Sequence, residues 1–213
     1  MVFIDVHTHA FSERKKVFSI VNTYPDSKDF SKPFSIGIHP WFIKKEQLGN
    51  QLSILEDKLQ SKNCFALGEC GLDKLTDVNF ELQKEVLIKQ IQLSEKYQKP
   101  LIIHCVKAHQ EIIALKKEMK PKQVWILHGF NKSIQLAESC VKNGILLSFG
   151  AAIIANKKLQ ETFLELPLAS ILLETDDNEV AIEEVYKKAA SIRKINIDEL
   201  QQEIKQNFNT IFI

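Results

Sequence analysis

Two histidines one residue apart close the first apolar stretch of the chain, Val2-Phe3-Ile4-Asp5-Val6-His7-Thr8-His9. On a β-strand, side chains i and i+2 leave the same face about 6.5–7 Å apart. His7 and His9 would then project together, with Asp5 one step below them. Two imidazoles on one rigid element are half of a metal site. Other metal-competent residues follow four later apolar runs: Glu69 after Phe65-Ala66-Leu67-Gly68, His104 after Leu101-Ile102-Ile103, His128 after Val124-Trp125-Ile126-Leu127, and Asp176 just beyond Ile171-Leu172-Leu173. Singly these are weak signals, because a lone histidine at a strand end is more often packed or solvated than ligating. Jointly they supply four imidazoles and two carboxylates. That exceeds what one structural zinc needs and suits a catalytic centre with one or two divalent ions and open positions. Such donors accommodate Zn, Mn or, with more oxygen ligands, Mg.

Those residues must be positioned by the elements that precede them. Three further short runs, Val17–Val21, Pro33–Ile38 and Ile145–Phe149, bring the strand candidates to eight. Most are almost continuously apolar, as expected of strands buried on both faces of a parallel sheet. Helical patterns lie between them, over Phe80–Tyr97, Gln110–Met119 and Ser133–Asn143, the last followed by Gly144 as a stop. Asn196-Ile197-Asp198-Glu199 reads as a cap, followed by Leu200, Ile204 and Phe208 at four-residue intervals. Strands alternating with helices predict an α/β protein with a (β/α)₈ TIM-like barrel over residues 1–213 as a single domain. All five ligand-bearing strand ends would meet at its C-terminal mouth. The segments between His9 and Val17 and between Val21 and Pro33 are too short for full helical crossovers. The barrel is therefore distorted, with its first one or two helices short or missing.

Composition narrows the setting. The 28 basic residues nearly cancel 27 acidic ones, leaving +1, so no global field holds a nucleic-acid duplex or an anionic membrane. No apolar run approaches the ~18–20 residues that span a bilayer, and no basic-then-apolar leader opens the chain. Cys64, Cys70, Cys105 and Cys140 form no CxxC pair. Together these predict a cytoplasmic protein with reduced thiols and no legible obligate protein partner.

In their order along the chain, the segments Phe3–His9, Gly37-Ile38-His39-Pro40, Ala66–Asp73, Pro100–Cys105, Leu127-His128-Gly129-Phe130 and Leu173-Glu174-Thr175-Asp176, with Gln83, resemble the TatD-type metal-dependent deoxyribonucleases among the amidohydrolase-like barrels. The resemblance implies that His7, His9 and Asp176 serve one metal, that Glu69 bridges two, and that His104 and His128 serve the second. It implies hydrolysis of a phosphodiester by a metal-activated water, with Asp176 taking the water's proton. A 3′-end exonuclease on single strands is the activity implied, so the partner would be a nucleic-acid end or a small phosphodiester. His39, Trp41 and Lys107 are candidate substrate contacts at the mouth, Trp41 by stacking on an unpaired base. Packing roles compete for His39 and Trp41, and His109 reads as an ordinary helix residue.

Two departures from the family pattern matter. Val106, followed by Lys107, stands where the family commonly has an arginine. Asp176 leads into Asp177-Asn178-Glu179-Val180 rather than into a proline- and arginine-bearing loop. An acidic rim repels a polyphosphate, so an amidase, lactonase or deaminase on the same metal frame is a rival, and a metal-binding scaffold a more distant one. Amidohydrolase relatives often carry a carboxylated lysine where Glu69 lies, which tilts the reading towards phosphodiesters.

Overall fold

In a computed structural model, which describes residues 2–213, the opening stretch is a strand, β1 (Phe3–Thr8), buried from Ile4 onward. Seven more follow: β2 (Val17–Thr23), β3 (Phe34–Ile36), β4 (Cys64–Asp73), β5 (Leu101–Val106), β6 (Trp125–Leu127), β7 (Ile145–Phe149) and β8 (Ile171–Leu173). They stand in one sheet in chain order, and the pairings of β1 with β2, β3 with β4, β4 with β5 and β7 with β8 are all parallel. Eight parallel strands in sequence order, interleaved with helices from β3 onward, are the arrangement of a (β/α)₈ barrel. Residues 9–16 and 24–33 contain no helix, as their lengths predicted.

The helices are α1 (Leu48–Lys58), α2 (Phe80–Tyr97), α3 (His109–Met119), α4 (Ile134–Lys142), α5 (Ala152–Ala155), α6 (Lys157–Glu165), α7 (Ile182–Arg193) and α8 (Ile197–Phe212). The Asn79 side chain accepts from Leu82 N at the start of α2, and Asn196 accepts from Glu199 N at the start of α8. Both caps satisfy amides that a helix start leaves open. Apolar periodicity did not mark α1, α5, α6 and α7. No helix among the described residues is long and apolar enough to cross a membrane. The four cysteines are free thiols, and burial pushes the Cys64 thiol up to about 12.

The largest difference from the sequence pattern is β4. Its apolar run ends at Gly68, but the strand continues through Glu69, Cys70, Gly71, Leu72 and Asp73, all buried. Polar residues and glycines interrupt the run because Glu69 and Asp73 meet His104 while the alternate residues Cys70 and Leu72 stay in the core. A Cβ on Gly71 would collide with the carbonyl of His104, its partner on β5. Only glycine allows these two backbones to approach so closely there.

The contacts divide into two compact units, Met1–Val21 with Leu127–Ile213, and Asn22–Ile126. In the first, Leu200, Ile204 and Phe208 of α8 are buried, as their spacing predicted. Tyr186 of α7 is fully buried, and its hydroxyl donates to Ile4 O at 3.0 Å and accepts from Ile4 N at 3.1 Å. A side chain thereby satisfies both peptide groups of a residue three positions before His7. In the second unit, Val86, Leu87 and Ile91 of α2 are buried. Tyr186→Phe keeps the ring but strands two buried backbone groups. We expect a loss of about 3 kcal/mol in stability, read as a lower urea midpoint. An unchanged midpoint would show that water replaces the hydroxyl.

Candidate metal centre

In the first unit the site starts from a backbone contact. Asp176 N donates to His7 O at 2.9 Å, and His9 N donates to Asp176 O at 3.0 Å. The chain just past β8 thus pairs with the end of β1, in a parallel bridge between Thr8 and Asp176. Asp176 adopts φ +57°, a left-handed conformation that aspartate tolerates better than most residues. The residues before it are fixed as well. Buried Asp5 accepts from Thr175 N at 3.0 Å and from Thr175 Oγ1 at 2.7 Å. Burial pushes the Asp5 carboxyl up to about 7, against the lowering effect of those bonds.

These constraints put Asp176 Oδ1 at 3.4 Å from His7 Nε2 and at 3.4 Å from His9 Nε2. The His128 ring lies 4.4 Å from the His7 ring, centroid to centroid, and His7, His128 and Asp176 offer ligand atoms within 4.8 Å of one another. Bonds of about 2.0–2.1 Å to a tetrahedral ion separate its ligand atoms by about 3.3–3.4 Å. The imidazole–carboxylate spacing therefore fits a divalent ion. Burial alone would raise the Asp176 carboxyl, but His7, His9 and His128 outweigh it and hold the group well below the usual carboxylate range. Such a group stays ionised across all ordinary pH. Glu174, fully buried, accepts from Gly129 N at 2.5 Å, and its Oε1 is 3.7 Å from His128 Nδ1. It is placed to orient that ring.

In the second unit Glu69 is the centre. Its Oε1 lies 2.9 Å from His104 Nδ1 and 3.2 Å from His39 Nε2, and these three residues form a second group able to hold an ion. Asn22 fixes the glutamate from both ends: its Nδ2 donates to Glu69 Oε2 at 3.3 Å, and its Oδ1 accepts from Glu69 N at 2.9 Å. Asp73 Oδ2 is 3.1 Å from His104 Nε2 and accepts from Trp41 Nε1 at 2.6 Å. Burial works to raise the Asp73 carboxyl, but the Trp41 indole, the Leu75 amide and His104 bring it below its ordinary value.

Two buried glutamines of α2, seven residues and so about two turns apart on one face, hold the segments that carry these groups. Gln83 accepts from Asp73 N at 2.8 Å and donates to Asp73 O at 3.0 Å. Gln90 accepts from Ile38 N at 2.8 Å and donates to Ile38 O at 3.1 Å, fixing the residue before His39.

Of the residues singled out in the sequence, the structure groups His7, His9, His128 and Asp176 in one unit and Glu69, His104 and His39 in the other. His39 stands inside a ligand group rather than at the rim. The Trp41 indole is 53% exposed and pinned by Asp73. Lys107 is exposed, left-handed, and just past the end of β5. Asn22, Asp73, Gln90 and Glu174 carry parts that sequence reasoning did not give them. Asp73 shares a strand face with Glu69, four residues away, and that period was readable only once β4 was known to reach it.

A family model described as TatD related DNase matches residues 3–213. The uncharacterized metal-dependent hydrolase YjjV of Escherichia coli is 29% identical over 196 residues, covering 84% of this chain and 75% of YjjV. The YjjV crystal structure matches with a TM-score of 0.83 at 26% identity, over 99% of this chain and 97% of that one. Human deoxyribonuclease TATDN3 is 30% identical over 202 residues, covering 83% of this chain and 73% of the relative. The 3′-5′ ssDNA/RNA exonuclease TatD of Erwinia tasmaniensis is 31% identical over 147 residues, covering 66% and 56%. With the family's model running through every strand that carries a candidate ligand, this chain belongs to the TatD-related DNase family of metal-dependent hydrolases.

Proposed function

We propose that residues 1–213 work as one cytoplasmic hydrolase domain that cleaves phosphodiester bonds at the 3′ end of single-stranded DNA. The observation that carries this reading is the pair of imidazole–carboxylate groups, with Asp176 Oδ1 3.4 Å from two histidine nitrogens and Glu69 Oε1 within 3.2 Å of two more. His7, His9, His128 and Asp176 would hold one divalent ion, and Glu69 and His104, with His39, another. When bound, such ions lower the pKa of water and offset phosphate charge. Asp176 would accept the proton of the attacking water, and Glu69 would keep His104 and His39 oriented. Trp41, held edge-on by Asp73, would offer its exposed face to an unpaired base, and Lys107 a cation to the strand. Relatives named deoxyribonuclease and exonuclease favour DNA as substrate. Glutamate rather than lysine at position 69 favours phosphodiesters over amides. The exposed acids Asp177 and Glu179, beside Asp176, favour the rival reading of a small neutral ester or amide substrate.

A single panel separates these readings. Protein purified without chelator is assayed on end-labelled single-stranded DNA, a chromogenic phosphodiester, and a set of amides and lactones. We expect DNA trimming that disappears when a chelator strips the metal and returns with added Zn, Mn or Mg. Turnover confined to amides and lactones would transfer the protein to the rival chemistry. For the proton acceptor, Asp176→Asn should lower kcat by about a thousandfold, with metal content measured alongside. A variant that kept both metal and full turnover would remove Asp176 from that role.

A further inference from the structure

His104 stands between two carboxylates of one strand. β4 carries Glu69 and Asp73 four residues apart, and Gly71, midway between them, pairs with His104 on β5. The two ring nitrogens therefore meet different acids: Nδ1 lies 2.9 Å from Glu69 Oε1, and Nε2 lies 3.1 Å from Asp73 Oδ2. The surroundings of the two acids differ. Glu69 belongs to a group able to hold an ion, whereas Asp73 belongs to none among the described residues. The Asp73 oxygens are engaged by N–H donors instead. Oδ1 accepts from Leu75 N at 2.7 Å, and Oδ2 accepts from Trp41 Nε1 at 2.6 Å while facing His104. Gln83 bonds both the N–H and the carbonyl of Asp73. The residue is thus fixed at backbone and side chain, and it is buried.

A carboxylate ringed by N–H donors has only lone pairs to offer, so His104 meets Asp73 with a proton on Nε2. In a neutral imidazole the other nitrogen, Nδ1, then keeps its lone pair. That lone pair faces Glu69 Oε1 at 2.9 Å, where two acceptors repel unless a cation stands between them. We infer that Asp73 is a positioning residue for the metal group of the second unit: it holds the Nε2–H of His104 and so aims the Nδ1 lone pair at a divalent ion beside Glu69. A carboxylate behind a histidine ligand fixes both tautomer and ring orientation and raises the basicity of the ligating nitrogen. The inference rests on the metal reading and adds to it a supporting acid and a defined tautomer. It also gives Trp41 a second part, since its indole N–H ends on the same oxygen that orients His104.

Two measurements test it without turnover. Side-chain nitrogen NMR of Zn-loaded protein reads the tautomer. His104 should show a slowly exchanging proton on Nε2, assigned by its absence from His104→Ala, and Asp73→Asn should lose that protection. Asparagine supplies one acceptor oxygen where Leu75, Trp41 and His104 need two. Competition with a chromophoric chelator reads the ion. Asp73→Asn should weaken, by about ten- to a hundredfold, the same Zn equivalent that His104→Ala weakens, and should leave the equivalent held by His7, His9 and Asp176 at wild-type affinity. Trp41→Phe keeps a ring and removes the indole N–H, so it should weaken the same ion less than Asp73→Asn does. A proton on Nδ1 rather than Nε2 in the Zn-loaded wild-type protein would overturn the inference without recourse to any variant. So would equal Zn affinity in the wild type and Asp73→Asn, or a loss at both ion sites together with a lower urea midpoint, which marks a purely structural role. Wild-type protein that binds no Zn at Glu69 and His104 would remove the metal reading itself and the inference with it, an outcome that direct metal analysis tells apart from the others.

Discussion

The bridge between Asp176 and the end of β1 is the contact on which the ligand group of the first unit depends. Two backbone hydrogen bonds, Asp176 N to His7 O and His9 N to Asp176 O, tie residues nearly 170 positions apart. Everything specific about the aspartate follows from them. Its left-handed backbone is held from both sides, its carboxylate is delivered between two imidazoles, and His7, His9 and His128 hold it below the usual carboxylate range. Asp5 and Thr175 lock the same junction one step deeper. A buried carboxylate bonded to a backbone amide and a hydroxyl costs less than an isolated one, and here it serves as a brace rather than as a ligand.

The ligand group of the second unit is braced differently. Glu69 rides on β4, whose flanking Leu67 and Cys70 pair with β5, and side-chain amides fix the rest. Asn22 holds both the peptide N–H and the carboxylate of Glu69, while Gln83 and Gln90 hold the peptides of Asp73 and Ile38. A carboxamide is suited to this task because it donates and accepts at once and therefore saturates one peptide unit without adding charge. The arrangement leaves the carboxylates as the charged groups facing the histidines. That is the requirement for a divalent-cation site whose supports must not compete with the ion.

Much of this was legible in the sequence because strand ends in such folds are written as an apolar run followed by a ligand type. β1, β7 and β8 lie where their apolar runs put them, and α2 spans Phe80–Tyr97 as its apolar pattern indicated. The gaps around β2 were correctly too short for helices. What was not legible has a common cause. The second half of β4 and the roles of Asn22, Gln90 and Asp73 depend on polar residues buried against one another, and burial of polar groups leaves no hydrophobic period to read. α6 and α7 escaped because their apolar positions sit among short, charge-rich segments. His39, which the sequence leaves open between a contact at the mouth and a packed role, is buried at 4% exposure, and Gln90 holds the peptide before it.

The central claim is that these histidines and carboxylates are assembled to hold divalent ions, and anomalous X-ray diffraction from crystals grown with Zn or Mn tests it most directly. The account predicts anomalous density within bonding distance, about 2.0–2.2 Å, of His7, His9 and Asp176, and a further peak at Glu69 and His104. Well-ordered crystals with those side chains in place and no anomalous density at either group would contradict it.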